Sequence, residues 1–210
     1  MITDIVFDLG NVLVPLDREK SYWGLMPHLP TDMAHLARTD RPAFEKLFLQ
    51  PARAMESGEA DFDEFWERMQ KVLGISMDKG PFHQLYCDIF VLDDEMAQLG
   101  KHLSESHGTW LASNTSRVHY DWILDRFPRV EFYRDAALSY EIGLMKPASG
   151  FYEGAIRQFG INPYTSVFVD DLEENVVGAV NAGLKGIVYR DKAKLLRELE
   201  QLGVWLPGIA

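Results

Sequence analysis

The stretch Asp4-Ile5-Val6-Phe7-Asp8-Leu9-Gly10-Asn11 decides the fold. Three consecutive apolar residues, two of them β-branched, run straight into a carboxylate and a Gly-Asn turn signal. An unbroken apolar run belongs to a strand covered on both faces, which is the habit of parallel sheets. Four more short runs repeat the pattern: Thr109–Ser113, Ala136–Leu138, Ser166–Val169 and Gly186–Tyr189. Stretches of helical length and period lie between them. His119–Arg126 follows the second run, Ala148–Phe159 the third, entered through Pro147, and Glu173–Ala182 the fourth, stopping at Gly183. Lys192–Leu202 reads as a closing surface helix. This alternation predicts an α/β fold built on a parallel five-stranded sheet.

The first connection breaks the rhythm. About 100 residues separate the first run from the second, far more than a loop and one helix require. Thr31–Arg38, Ala43–Phe48 and Asp61–Val72 carry helical spacing, and Pro27, Pro30, Pro42, Pro51 and the Ser57-Gly58 turn are expected to interrupt the segment. Residues 19–92 therefore read as an inserted helical subdomain, and 1–18 with 93–210 as the sheet-bearing core. Trp23, Trp66, Phe44, Phe48 and Phe65 are the expected core of the insertion.

Composition narrows the function. The chain has 210 residues, of which 47% are hydrophobic and 25% charged, enough apolar material for a folded core without staples. A lone cysteine, Cys87, allows no internal disulfide, so a reducing cytoplasm is expected. No apolar run approaches the roughly 18 residues that cross a bilayer, and Met1-Ile2-Thr3-Asp4 lacks the basic start of a secretory signal. A net charge of −11 argues against nucleic acid or an anionic membrane as the main partner. A small anionic ligand needs only a local positive field. A monomer and a homodimer both fit.

In doubly wound sheets ligands bind beyond the carboxyl ends of the strands. The first run ends in Asp8, the second in Ser113-Asn114 and the fourth in Asp170-Asp171, while Lys146-Pro147 follows the third. Taken singly, each has a bland reading: a turn or cap Asp, a loop opening, a solvated lysine. Together they bring carboxylates, a hydroxyl and an ammonium to one rim. Crowded carboxylates invite a hard cation such as Mg2+, held by Asp8, Asp171, the Gly10 carbonyl and Asp170, directly or through water. Such a site invites a phosphate, with Lys146 and the Ser113 hydroxyl on its oxygens and an Asp aimed at phosphorus.

These residues resemble the haloacid dehalogenase-like hydrolase superfamily. Four motifs stand in order: Asp8-Leu9-Gly10-Asn11-Val12-Leu13, Trp110-Leu111-Ala112-Ser113-Asn114, Gly143-Leu144-Met145-Lys146-Pro147, and Val167-Phe168-Val169-Asp170-Asp171-Leu172-Glu173-Glu174-Asn175. The insertion is similar to the family's helical cap. The resemblance implies a Rossmann-like core with an α-helical cap and Mg2+-dependent hydrolysis of a small phosphorylated metabolite. It implies Asp8 as nucleophile, with Lys146 stabilising it and the transferring group. Ser113 and Asn114 would bind substrate with Lys146, and Asp8, Gly10, Asp170 and Asp171 would hold the metal.

One position departs from the pattern. Most phosphatases of the superfamily carry a second Asp two residues after the nucleophile, to protonate the leaving group, and here that position is Gly10. General acid–base help is commonly worth about 10²–10⁴ in rate. The Asp-Leu-Gly-Asn-Val form is similar to the branch that includes a bacterial α-D-glucose-1-phosphate phosphatase, and a sugar 1-phosphate is a comparatively good leaving group. Gly10 also suits a 2-haloacid dehalogenase, which needs no metal, and a weakly catalytic phosphometabolite-binding protein. Asp17 is an alternative acid, but a linker hydrogen bond is the simpler role for it.

Overall fold

The computed structural model describes residues 1–204. In chain order the elements are β1 (Asp4–Phe7), α1 (Glu19–Leu25), α2 (Thr31–Thr39), α3 (Arg41–Glu56), α4 (Phe62–Leu73), α5 (Lys79–Cys87), α6 (Asp94–Leu103), β2 (Gly108–Ser113), α7 (Arg117–Arg126), β3 (Ala136–Leu138), α8 (Ser139–Ile142), α9 (Ser149–Phe159), β4 (Ser166–Asp170), α10 (Glu173–Asn181), β5 (Lys185–Val188) and α11 (Lys192–Gln201). The five strands form one sheet in the order β3-β2-β1-β4-β5, every pair parallel. The architecture is the parallel five-stranded α/β fold expected from the strand runs, in the Rossmann-like form that the family resemblance implies. No helix among the described residues is long and apolar enough to cross a membrane.

Side-chain alternation along the strands builds two cores. Ile5, Phe7, Leu111, Val167, Val169 and Ile187 pack on one face with Met96, Leu99 and Leu103 of α6 and Leu195 and Leu199 of α11. Val6, Ala112 and Phe168 pack on the other with Phe151, Tyr152, Ala155 and Phe159 of α9. Both sides of each central strand need apolar residues, and this is why the runs in the sequence are continuous. In register, Phe7 lies beside Leu111 and Val169, so β1, β2 and β4 end side by side. The strand order reverses at β1, and the ends of β1 and β4 form the crevice where this topology places ligands.

Between β1 and α6 the chain forms α1–α5, which share a separate cluster centred on Phe44, Met55, Phe65, Trp66, Met69 and Phe82. The chain leaves and returns side by side: Leu16 bridges Phe90, Asp17 N–H donates to Ile89 O at 2.7 Å, and Val91 N–H donates to Pro15 O at 2.9 Å. The α4 helix opens with a reciprocal cap between Asp61 and Glu64. On the returning side, the Tyr86 ring stacks on His119 of α7 with centroids 4.4 Å apart. His119 Nε2 donates to Tyr86 O at 3.3 Å, and burial pushes the His119 pKa down to about 4.

Several local expectations fail for identifiable reasons. Pro51 does not break α3: it is buried inside the helix, on the face that carries Phe44 and Met55 into the cluster. Tertiary burial of that face outweighs the roughly 3 kcal/mol cost of an internal proline. Trp23 is not core but 58% exposed, because Leu25 and Tyr22 take the inward face of the short α1 and leave the indole to donate to Glu19. The α1 and α5 helices carried too few periodic positions to be expected. Pro147 stands before the Ala148 N-cap of α9 and outside its first turn, and β5 lies one residue earlier than the apolar pattern suggested.

Gly100 shows how closely α6 lies against Phe132, in the segment that leads into β3. A Cβ at this position would stand 2.0 Å from Cζ of Phe132, whose ring packs edge-on to Phe7 at 5.6 Å. Gly100→Ala should therefore destabilise the chain by about 1–3 kcal/mol through overpacking. Urea unfolding of the two proteins measures it, and equal midpoints would refute the close approach.

Candidate active site

Asp8 continues from β1 and its N–H donates to Val169 O at 2.9 Å, which fixes it beside the end of β4. Lys146 arrives from the loop between α8 and α9. Asn114, just past β2, fastens that loop with a reciprocal pair: its Nδ2 donates to Lys146 O at 2.9 Å and its Oδ1 accepts from Lys146 N at 2.8 Å. The buried ammonium then reaches Asp8 Oδ1 at 2.8 Å, Asp170 Oδ2 at 2.7 Å and Ala112 O at 2.9 Å. Its three donors thus meet three acceptors. The Phe168 ring centroid lies 5.2 Å from the same nitrogen.

Asp170 is fully buried at the end of β4. Its Oδ1 accepts from Leu172 N at 2.8 Å, and Asn175 Nδ2 reaches both carboxylate oxygens at 3.1 Å. Asn175 is itself held by the Tyr152 hydroxyl, which donates to its carbonyl at 2.6 Å. Asp171 is half-buried, accepts from Asn11 Nδ2 at 3.1 Å through Oδ2, and has its carbonyl bound by Arg190 at 2.8 Å. Asp8, Asp170 and Asp171 each present an oxygen within 4.8 Å of the others.

The structure thus brings Asp8, Asn114, Lys146, Asp170 and Asp171 together. Ser113 is buried at the end of β2, next to the Ala112 carbonyl that binds Lys146. Gly10 lies in the turn after Asp8 and bridges Val14. Asp17 takes the linker role, accepting from Glu19 N at 3.0 Å. Sequence reasoning missed the supporting amides of Asn11 and Asn175, although both stood inside quoted motifs. Asn11 adopts a left-handed backbone, φ 53°, and Asn directly after Gly in a turn was the available signal. A crevice of about 680 Å³ between the α3–α4 turn and the loop entering α7, lined by Gly58, Phe62, Ser116, Arg117 and Tyr140, does not include these groups.

Electrostatics at the site follow from burial. Removal from water pushes the Asp8 pKa up to about 6, with Lys146 opposing the rise and Asp170 adding to it. Burial alone would lower Lys146, but the two carboxylates outweigh it and hold the ammonium above its ordinary value. Lys146 is therefore a permanent cation.

A model of haloacid dehalogenase-like hydrolases matches residues 5–183. The chain belongs to the haloacid dehalogenase-like hydrolase family. The matched span contains Asp8, Ser113, Asn114, Lys146, Asp170 and Asp171. This hydrolase is 26% identical over 183 residues to D-ribitol-5-phosphate phosphatase of Bacteroides thetaiotaomicron, covering 84% of this chain and 86% of that one. A family enzyme from the same bacterium, solved with magnesium and inorganic phosphate, superposes with a TM-score of 0.78 at 24% identity, covering 94% of this chain and 100% of that one. L-2-haloacid dehalogenase from Xanthobacter autotrophicus, with chloropropionic acid covalently bound, superposes with a TM-score of 0.62 at 17% identity over 98% and 85% of the two chains. These two structural likenesses show a shared fold.

Because folding raises the Asp8 pKa above its ordinary 3.8, folding favours the protonated form. The associated stability is complete below about pH 4 and is lost as pH rises through about 6. In metal-free buffer, Asp8→Asn should gain stability relative to wild type as pH rises from 4 to 7.5, by roughly 3 kcal/mol. Denaturant unfolding across that range tests it, and a pH-independent difference would contradict the raised value.

Proposed function

We propose that this hydrolase is a Mg2+-dependent phosphatase for a small phosphorylated metabolite, a sugar or sugar-alcohol phosphate, acting through an aspartyl phosphate on Asp8. The charge left over around Asp8 carries the reading. Three clustered carboxylates share the Lys146 ammonium, with the Arg190 guanidinium on the Asp171 carbonyl, so the strand ends keep a surplus of negative charge. An all-oxygen donor set with that surplus fits a hard divalent ion and suits no soft metal. Asp8, Asp171 and the Gly10 carbonyl would hold Mg2+. Asp170, whose oxygens already accept from Lys146, Asn175 and Leu172, would assist through water. When bound, the ion supplies charge neutralisation for the phosphoryl oxygens.

The chain's own groups have distinct tasks. An Asp8 carboxylate oxygen attacks phosphorus in line, a new P–O bond forms, and the ester P–O bond breaks to release the alcohol oxygen. Lys146 keeps Asp8 oriented and offsets charge on the transferring group. The Ser113 hydroxyl donates to a phosphoryl oxygen, and Asn114 positions Lys146 through the reciprocal pair. Water then attacks the acyl phosphate at phosphorus, freeing phosphate and restoring Asp8. Gly10 cannot protonate the leaving oxygen, so the departing group takes its proton from solvent. That favours substrates whose alcohol leaves readily, as at a sugar anomeric carbon. The polyol phosphate named for the Bacteroides relative supports a sugar-alcohol phosphate as substrate on the ground of similarity alone, since its ester oxygen is an ordinary primary alcohol. The insertion at 19–92, on its paired linkers, would serve as a cap that excludes bulk water during turnover.

A panel of sugar and sugar-alcohol phosphates, assayed with Mg2+ and with EDTA, tests this reading. Phosphate release should require Mg2+, and Asp8→Asn should lower it by about 10⁴-fold or more with the circular dichroism spectrum unchanged. The second reading, favoured by Gly10, is a 2-haloacid dehalogenase. Metal-independent halide release from 2-chloropropionate, with no phosphatase activity on the panel, would install it in place of the first.

A further inference from the structure

Asn11 is the single non-glycine residue with positive φ among the described residues. Such a backbone is tolerated where a short polar side chain finds local hydrogen bonds. Asn11 finds them on two separate structures. Its Nδ2 donates to Asp171 Oδ2 at 3.1 Å, and its Oδ1 accepts from Leu16 N at 3.2 Å. Its own N–H donates to Val14 O at 3.0 Å, which closes the turn. Leu16 is the linker residue that bridges Phe90 where the helical insertion departs and returns. One amide thus spans the gap between the carboxylate at the end of β4 and the outgoing linker.

We propose that Asn11 is a positioning residue that aims the free oxygen of Asp171 at the cation site and ties that carboxylate to the linker. The inference rests on the metal-dependent reading above. With one Asp171 oxygen held by Asn11 and the Asp171 carbonyl held by Arg190, the remaining carboxylate oxygen is fixed for coordination. Outer partners of metal ligands of this kind are commonly worth about 10–100-fold in affinity. Cation binding then tightens the Asp171–Asn11–Leu16 chain of hydrogen bonds and steadies the linker.

The test uses the full chain and Mg2+ alone. Asn11→Gly keeps the left-handed backbone without strain and removes the amide. Asn11→Ala removes the same amide and adds the strain. Calorimetric titration should show Mg2+ binding about tenfold weaker in both variants. Thermal unfolding in EDTA should show only Asn11→Ala clearly less stable than wild type. In wild type, Mg2+ should slow hydrogen exchange at the Leu16 amide, and in Asn11→Gly that amide should exchange fast with or without Mg2+. Unchanged Mg2+ affinity in Asn11→Gly, beside normal binding by wild type, overturns the positioning role alone. Absence of saturable Mg2+ binding in wild type overturns the metal-dependent reading and this inference with it.

Discussion

The Lys146 ammonium is the contact on which the rest depends. It gathers the ends of three strands: Asp8 after β1, the Ala112 carbonyl in β2 and Asp170 at the end of β4. Asp8 and Asp170 lie next to each other because β1 and β4 pair in register. Without a cation, two carboxylates at this depth would repel each other across a medium that screens poorly. The lysine comes from a loop far along the chain, and the assembled sheet places its partners within reach. Fold and chemistry are therefore mutually conditional. The parallel sheet creates the crowding of like charges, and the loop after β3 supplies the charge that makes the crowding tolerable.

The strands and the charged groups at their ends were legible in the sequence because they obey local rules. A strand packed on both faces must be apolar throughout, as Val167-Phe168-Val169 is, and the acid that terminates it is visible by contrast. The insertion was harder to read. Its short helices α1 and α5 owe their existence to packing around Phe82 and Leu25, contacts between residues far apart in the chain. Pro51 illustrates the same failure, since local propensity argued for a break and burial overruled it. The amides of Asn11 and Asn175 stood in plain sight, but their partners are set by tertiary geometry, so sequence spacing alone did not assign them. The Ala112 carbonyl carries no side-chain signal at all.

The insertion meets the core through contacts of different character, among them the paired linkers and an aromatic stack. The linkers pair as short extended segments through main-chain hydrogen bonds at Pro15, Asp17, Ile89 and Val91. The second contact is aromatic, with Tyr86 over His119 and Phe90 edge-on to the same ring at 5.0 Å. Burial holds His119 neutral, so the stacked pair carries no charge into this contact.

The two outer strands have a bearing on how this molecule behaves at high concentration. At one border β3 is only three residues long, and at the other β5 opens with an exposed Lys185. A border so brief, or one that begins with a solvated positive charge, gives an incoming chain few free amides to zip onto. Stray ribbon-like aggregation is thereby discouraged at both flanks of the molecule, while the strongly apolar middle strands stay locked inside.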